Sequence, residues 1–356
     1  MKKFVALVAV TEATVGVTVG AMVIPASSSS ADVPAPSNPS AQPAWAMPLK
    51  VFSGPPAGAD VLTASAADLE QWGIPPKPTD PGALAVWTTF VNSAKYWTTP
   101  DPQASSVYHG LATTEGVPQS TPPTSISTPL NPEPPPPTSP EATSHTAYSD
   151  IWAGWLIPSG GNSGCSSFQQ SYSDWAQPGV LPGSTGTASF WNGIGGYGNG
   201  SLIQAGADSI GGSTPSYRFW TEDFPLGTIY EGPSISPGQV GLAISDYNGD
   251  GTTTFTLQNV TTGETQAFIN STPYYNGSSV EFINEKLGGQ MPNYGATQMG
   301  MNAGTGNFGA CGVALNNSNN GLKIQMTSDG TSSGGKIVDT GPYNSGNLFD
   351  FTWEGP

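Results

Sequence analysis

Basic side chains are scarce in this sequence. Nine Lys and Arg stand against 25 Asp and Glu in 356 residues, a formal net charge of −16 with His neutral. That deficit leaves no basic surface to neutralise phosphates, so nucleic acid is excluded as a partner. Histidine is scarcer still, with only His109 and His145. A serine or cysteine nucleophile needs a positioned base, most often histidine. Both histidines read as solvated loop residues, one in a proline-rich leader and one at the edge of the folded region, which sets that chemistry aside. The two cysteines, Cys165 and Cys311, could pair in an exported protein or stay as free thiols. Without nearby histidines they cannot build a structural zinc site, and no metal or other cofactor is expected.

Proline and glycine divide the chain. The first 144 residues hold 24 of the 35 prolines and the remainder holds 38 of the 46 glycines, so the packed fold is expected C-terminal. Lys2 and Lys3, an apolar stretch from Phe4 to Ile24 and small residues through Ala31 have the order of a secretory signal, assigned to residues 1–31. An uncleaved membrane anchor is the alternative, its length sufficient but its polarity unfavourable. Residues 32–115 read as a pro-segment. Within it Leu62, Leu69 and Trp72, then Leu84, Trp87, Phe90, Val91 and Trp97, recur near the helical period and predict two short helices divided by IPPKPTDP from Ile74. Residues 116–144, with Pro134 to Pro137 in a run, read as an extended linker open to proteolysis.

Residues 145–356 change character. Short alternating or β-branched runs recur about every 8 to 12 residues between Gly, Asn, Asp and Pro, which predicts an all-β sandwich or barrel without helices. The clearest hairpin is TTTFTLQNVTTGETQAFIN from Thr252, where a TTGE turn joins two alternating strands. Here 15 acidic residues face four basic ones, a net charge of −11. In acid, protonated carboxylates leave little Lys or Arg charge to repel itself, so the domain suits an acid medium. A surface selected for solubility has the same composition.

Several motifs are set aside. VDTG at Val338 lacks the second aspartate that an acid-protease dyad requires, and Asp339 reads as a turn residue. DYNGDG, which includes Asp246 and Asp250, begins like a calcium loop but has Leu257 where a bidentate Glu belongs; a hairpin tip is the preferred reading. The carboxylates Glu222, Glu281 and Glu285 are more informative. Each lies in an apolar strand pattern, where an acid is costly unless it is used, paired or turned to solvent. Alternation puts Glu281 and Glu285 on one face and Trp220 with Glu222 on one face. The tryptophans Trp152, Trp155, Trp191, Trp220 and Trp353 serve either as core or as a binding platform.

Five segments, in order, resemble the glutamic peptidases, or eqolisins, and the chain is similar to a prokaryotic-type member over about residues 148 to 356. IWAG at Ile151 is similar to the family's entry strand. ASFWNGIGGYGNGSLIQAGADS from Ala188 resembles the segment that ends in the catalytic glutamine, which falls on Gln204. SYRFWTEDFP from Ser216 matches Trp220 and Glu222, LQNVTTGE from Leu257 matches a family hairpin, and VEFINEKL from Val280 places the catalytic glutamate on Glu285. Gly195 and Arg218 stand where the family usually carries aspartates.

The resemblance implies two stacked, bent antiparallel sheets of the concanavalin A-like or jelly-roll type, about seven strands each. It implies an exported, pepstatin-insensitive acid endopeptidase made as a precursor, acting on polypeptides as a monomer without stable membrane association once the signal is removed. Glu285 would be general base and then general acid, and Gln204 the oxyanion donor. Trp191, Trp220, Glu222 and Glu281 would bind substrate. A glutamine amide stays a donor at any pH, and a glutamate with an ordinary pKa of about 4.3 is partly ionised in acid, so the pair suits acid work. A sandwich lectin or glycoside hydrolase, which would also use carboxylates among tryptophans, and a non-catalytic surface protein on the same fold are the alternatives.

Overall fold

The computed structural model describes residues 42–79, 81–105, 109, 114–115, 145–159, 166–197, 200–287, 289–300, 302–304, 321–342 and 348–355. Before residue 145 its elements are β1 (Lys50–Phe52), α1 (Ala66–Trp72), α2 (Pro81–Ser93), β2 (Tyr96–Trp97), β3 (Gln103–Ala104) and β4 (Thr114–Glu115). Among the described residues, strands alone follow. They are β5 (His145–Ser149), β6 (Trp152–Pro158), β7 (Gln170–Ala176), β8 (Thr187–Gly195), β9 (Leu202–Ile210), β10 (Ser216–Phe224), β11 (Thr228–Tyr230) and β12 (Val240–Tyr247). The chain continues with β13 (Thr252–Asn259), β14 (Glu264–Ser271), β15 (Ser279–Leu287), β16 (Ala296–Gly300), β17 (Asn302–Gly304), β18 (Leu322–Thr327), β19 (Lys336–Thr340) and β20 (Leu348–Trp353).

Pairing arranges these strands as two antiparallel sheets. One runs β18, β6, β15, β8, β9, β10, β11. The other runs β14, β13, β12, β7, and passes through β16 to β20 and β19. A register shift at Met326 and Thr327, where β18 meets β19, joins the two at a corner. The expected all-β sandwich is therefore the architecture. Period-two alternation explains it: Phe190, Ala205, Phe219 and Phe282 point from the first sheet into the space between, where they meet Trp175, Phe255, Leu257 and Phe268 from the second. Burying each such phenylalanine is worth on the order of 1.5–3 kcal/mol.

The outer face of the second sheet is also apolar, and the segment before residue 145 covers it. Leu69 of α1 with Trp87 and Phe90 of α2 packs on Tyr172, Leu242 and Ile244. α1 begins with a capping box between Ser65 and Asp68 and ends at Gly73, whose φ of 74° suits glycine alone among ordinary residues. β1 extends the free edge of β14, with Lys50 opposite Ile269 and Phe52 opposite Ala267, while β3 extends β11.

Three local expectations change. Asp339 lies within β19 rather than in a turn, because Ile337, Val338 and Thr340 bury and carry the pairing on; its carboxylate accepts from Lys336 Nζ at 3.0 Å. His145 opens strand β5, in register with Leu322, because HTAYS pairs along β18. His109 is not solvated: it is fully buried against the first sheet. DYNGDG does form the tip between β12 and β13, with Asp250 Oδ1 accepting the Thr252 N–H at 3.0 Å. Cys165, Cys311, the segment 1–31 and the segment 116–144 lie outside the described residues.

Candidate active site

The face of the first sheet turned away from the second sheet is built from three in-register rows, two residues apart along each strand. The first row runs Glu281, Gly193, Gln204, Glu222, Thr228 across β15, β8, β9, β10 and β11. The second runs Ile283, Trp191, Gly206, Trp220, Tyr230, and the third Glu285, Ser189, Asp208, Arg218. Residues i and i+2 share a face of a strand, so all of these side chains converge on one side. Two glycines open the centre. A Cβ on Gly206 would lie 2.2 Å from the Phe190 carbonyl oxygen and 2.5 Å from Trp191 Cβ, so no other residue fits without moving backbone. Trp152, Leu156, Trp191, Trp220 and Ile283 form a single apolar cluster that walls the cleft.

Glu285 is buried beside Trp191, whose Nε1–H donates to its Oε2 at 3.0 Å. Trp152, in register with Glu285 on β6, meets Trp191 edge-on at 5.2 Å. Burial raises the Glu285 carboxyl to about 8, while the positive charge of His109 pulls the other way. Glu281 is also fully buried, and desolvation holds it well above the ordinary carboxylate range. Gln204 sits between Gly193 and Glu222, on the same face as Glu285 and on the next strand but one.

The cleft is filled by the chain itself. His109 lies flat on Trp220, ring centroids 3.5 Å apart and planes 10° from parallel. Its Nε2 is 3.1 Å from Asp208 Oδ1 and its Nδ1 is 2.9 Å from Thr228 Oγ1. The Thr228 hydroxyl donates to Glu222 Oε2 at 2.8 Å, and the His109 backbone N–H donates to the same oxygen at 2.8 Å. Its backbone carbonyl accepts from Gln204 Nε2. Burial alone would lower the imidazole pKa, but the charges and hydrogen bonds of Asp208 and Glu222 prevail and raise it to about 10. The imidazolium thus donates from both nitrogens. Tyr230 supports the arrangement by donating to Asp208 Oδ2 at 3.1 Å, with the Arg218 guanidinium 3.1 Å over its ring.

No family model and no curated protein matches the chain. Glutamic peptidases are among the solved structures it resembles, and a bacteriophage tailspike protein is another, at 12% identity and a TM-score of 0.22. Scytalido-glutamic peptidase with a transition-state analogue inhibitor is similar at 17% identity over 57% of this chain and 98% of its own, with a TM-score of 0.46. SCP-B, an eqolisin in complex with the tripeptide Ala-Ile-His, is similar at 18% identity over 57% of this chain and 98% of its own, TM-score 0.42. Aspergilloglutamic peptidase from Aspergillus niger follows at 18% identity, 47% and 98% coverage and TM-score 0.38.

Of the residues singled out in the sequence, Gln204, Glu222, Trp191, Trp220, Glu281 and Glu285 lie on this one face. Sequence reasoning missed His109, Asp208, Thr228, Ser189 and Tyr230. Asp208 carried a signal: it is an acid four residues after Gln204 in an alternating strand, hence on the same face. Ser189 accepts the Trp220 indole N–H at 3.0 Å, a role no pattern announces. Gly195 has a φ of 96°, and a Cβ there would lie 2.8 Å from the Ser201 carbonyl oxygen. That backbone favours glycine.

Proposed function

We propose that the chain is the precursor of an exported acid endopeptidase of the glutamic type, with Glu285 and Gln204 hydrolysing peptide bonds and the segment before residue 145 blocking the cleft until it is displaced or removed. One observation carries this reading: Gln204 Nε2 donates to a backbone carbonyl held in the cleft, on the same face as the buried Glu285.

The chemistry follows from the groups present. A water held by Glu285 gives up a proton to the carboxylate as its oxygen attacks the carbonyl carbon. Negative charge then grows on the carbonyl oxygen, where the Gln204 amide already donates, and that donation strengthens as the charge develops. Glu285 returns the proton to the departing nitrogen as the C–N bond breaks. The Trp191 indole holds Glu285 in one orientation throughout. With His109 in place Glu285 keeps its proton in acid, since burial has raised it to about 8. Opening the cleft readmits water and restores the ionised base at low pH.

Trp220 offers a flat apolar platform, Asp208 and Glu222 offer acceptors at its ends, and Glu281 adds a buried carboxyl along the same face. These suit an extended polypeptide. The deciding experiment incubates the purified chain with denatured protein near pH 3 with pepstatin present, beside Glu285→Gln. Cleavage by the wild type alone is expected. Equal cleavage by both, or by neither, would rule the assignment out.

A further inference from the structure

Resting on that reading, we propose that Arg218 is a specificity residue: it gives the acyl side of the cleft a site for an anionic side chain, carried four to six residues before the residue whose carbonyl meets Gln204.

Charge singles Arg218 out. The three rows of the cleft carry the carboxyl groups of Glu281, Glu222, Glu285 and Asp208, and Arg218 is the one basic residue in them. It stands opposite Asp208 on the β9–β10 ladder, yet Asp208 is engaged at both oxygens, by His109 Nε2 at 3.1 Å and by the Tyr230 hydroxyl at 3.1 Å. The guanidinium lies instead over the Tyr230 ring, 3.1 Å from its centroid, and forms no ion pair among the described residues. It is exposed, so a ligand can reach it. Tyr230 is itself held by its bond to Asp208. The long arginine side chain is thus laid on a fixed aromatic plate, and less rotamer freedom is lost when an anion binds its N–H fork.

The leader shows which part of a bound polypeptide passes this point. Gln103 and Ala104 pair with Tyr230 and Ile229 on β11, and the Ser105 N–H donates to the Thr228 carbonyl at 2.9 Å. The Ser105 side chain also hydrogen-bonds to Tyr230. Residues 103–105 precede His109, whose carbonyl accepts from Gln204, by four to six positions. A polypeptide on the same path brings its own side chains beside Arg218 at those positions. The guanidinium stays charged at every pH the fold meets, so the site persists in acid. Because the pair is exposed to solvent, the preference it gives is about threefold to tenfold.

The test measures kcat/KM for the full chain in acid on fluorogenic peptides copied from a site it cuts in denatured protein. They differ at one of those three positions, carrying glutamine, lysine, glutamate or cysteic acid, and mass spectrometry maps the cut bond. Cysteic acid, a sulfonate ionised throughout, should exceed glutamine by about threefold to tenfold at pH 3 and at pH 5 alike. Glutamate should match glutamine at pH 3 and approach cysteic acid at pH 5, as its ordinary pKa of about 4.3 requires. Lysine should be cut slowest. Arg218→Gln should level these rates, and Arg218→Glu should reverse them at pH 5 in favour of lysine, which no loss of folding can mimic. If the wild type cuts all four peptides equally at all three positions, this inference falls and the peptidase reading stands. A chain that cuts no denatured protein overturns both.

Discussion

The imidazole of His109 is stacked flat on the indole of Trp220, 3.5 Å between ring centroids and 10° between planes. Leader and sandwich meet at this contact, and much of the testable behaviour of the molecule radiates from it.

Trp220 is fully buried and donates to Ser189 Oγ at 3.0 Å. Trp220→Ala should cost about 3–5 kcal/mol of stability, since a large buried aromatic is removed from a packed wall. Trp220→Phe keeps a smaller stacking ring but loses the indole hydrogen bond and part of the buried volume, for about 1–3 kcal/mol. Chemical denaturation of both variants measures the difference, and equal losses would count against a stacking role.

Asp208→Asn removes the charge whose Coulombic pull contributes most to raising His109. The imidazole pKa should fall by about 1–3 units, the usual effect of an opposite charge within contact distance. NMR titration of the His109 ring protons reads it directly.

Stability should be greatest in acid. Burial raises Glu285 and Glu231 from 4.5 to about 8, the Thr221 hydroxyl opposing the shift of Glu231. A carboxyl raised in the folded state favours folding below its unfolded value, near 4.5, and that contribution is lost as pH climbs through 8. His109 acts in the same direction: raised from 6.5 to about 10, it stabilises fully below 6.5 and loses that contribution as pH rises through 10. The Tm by calorimetry should therefore be highest near pH 4 and fall steadily towards pH 9. A Tm that rises from pH 4 to 8 would contradict this account.

Gln204→Ala in the acid-processed enzyme should lower kcat by about 10²–10³, the loss seen when one oxyanion donor is removed, with a smaller change in KM. Steady-state kinetics on a fluorogenic peptide checks it. A larger effect on KM than on kcat would make Gln204 a binding residue.

How far the sequence led differs by residue. Glu281, Ile283 and Glu285 could be placed on one face because strand alternation is a strict period of two, and SVEFINEKL carries it without interruption. That Gln204 stands on the same side of the sheet was beyond such reasoning, since register between strands is set by pairing partners far apart in sequence. His109 was misread for a different reason. A polar residue in a proline-rich stretch is normally solvated, and only a cleft with matching acceptors, supplied by residues 99 to 119 positions away, makes its burial favourable. Asp339 was misread because a motif of turn-forming residues was weighed above the pairing of its neighbours with β18 and β20.

The pairing of β1 with β14 bears on what a single cut accomplishes. Backbone hydrogen bonds along Lys50–Phe52 and the burial of Trp87 and Phe90 against Tyr172, Leu242 and Ile244 do not depend on the leader staying covalently joined to the sandwich. A nicked molecule would therefore remain a two-fragment complex, its leader still clasped to the sandwich. Full release then becomes a dissociation equilibrium, governed by concentration, temperature and denaturant as well as by hydrolysis.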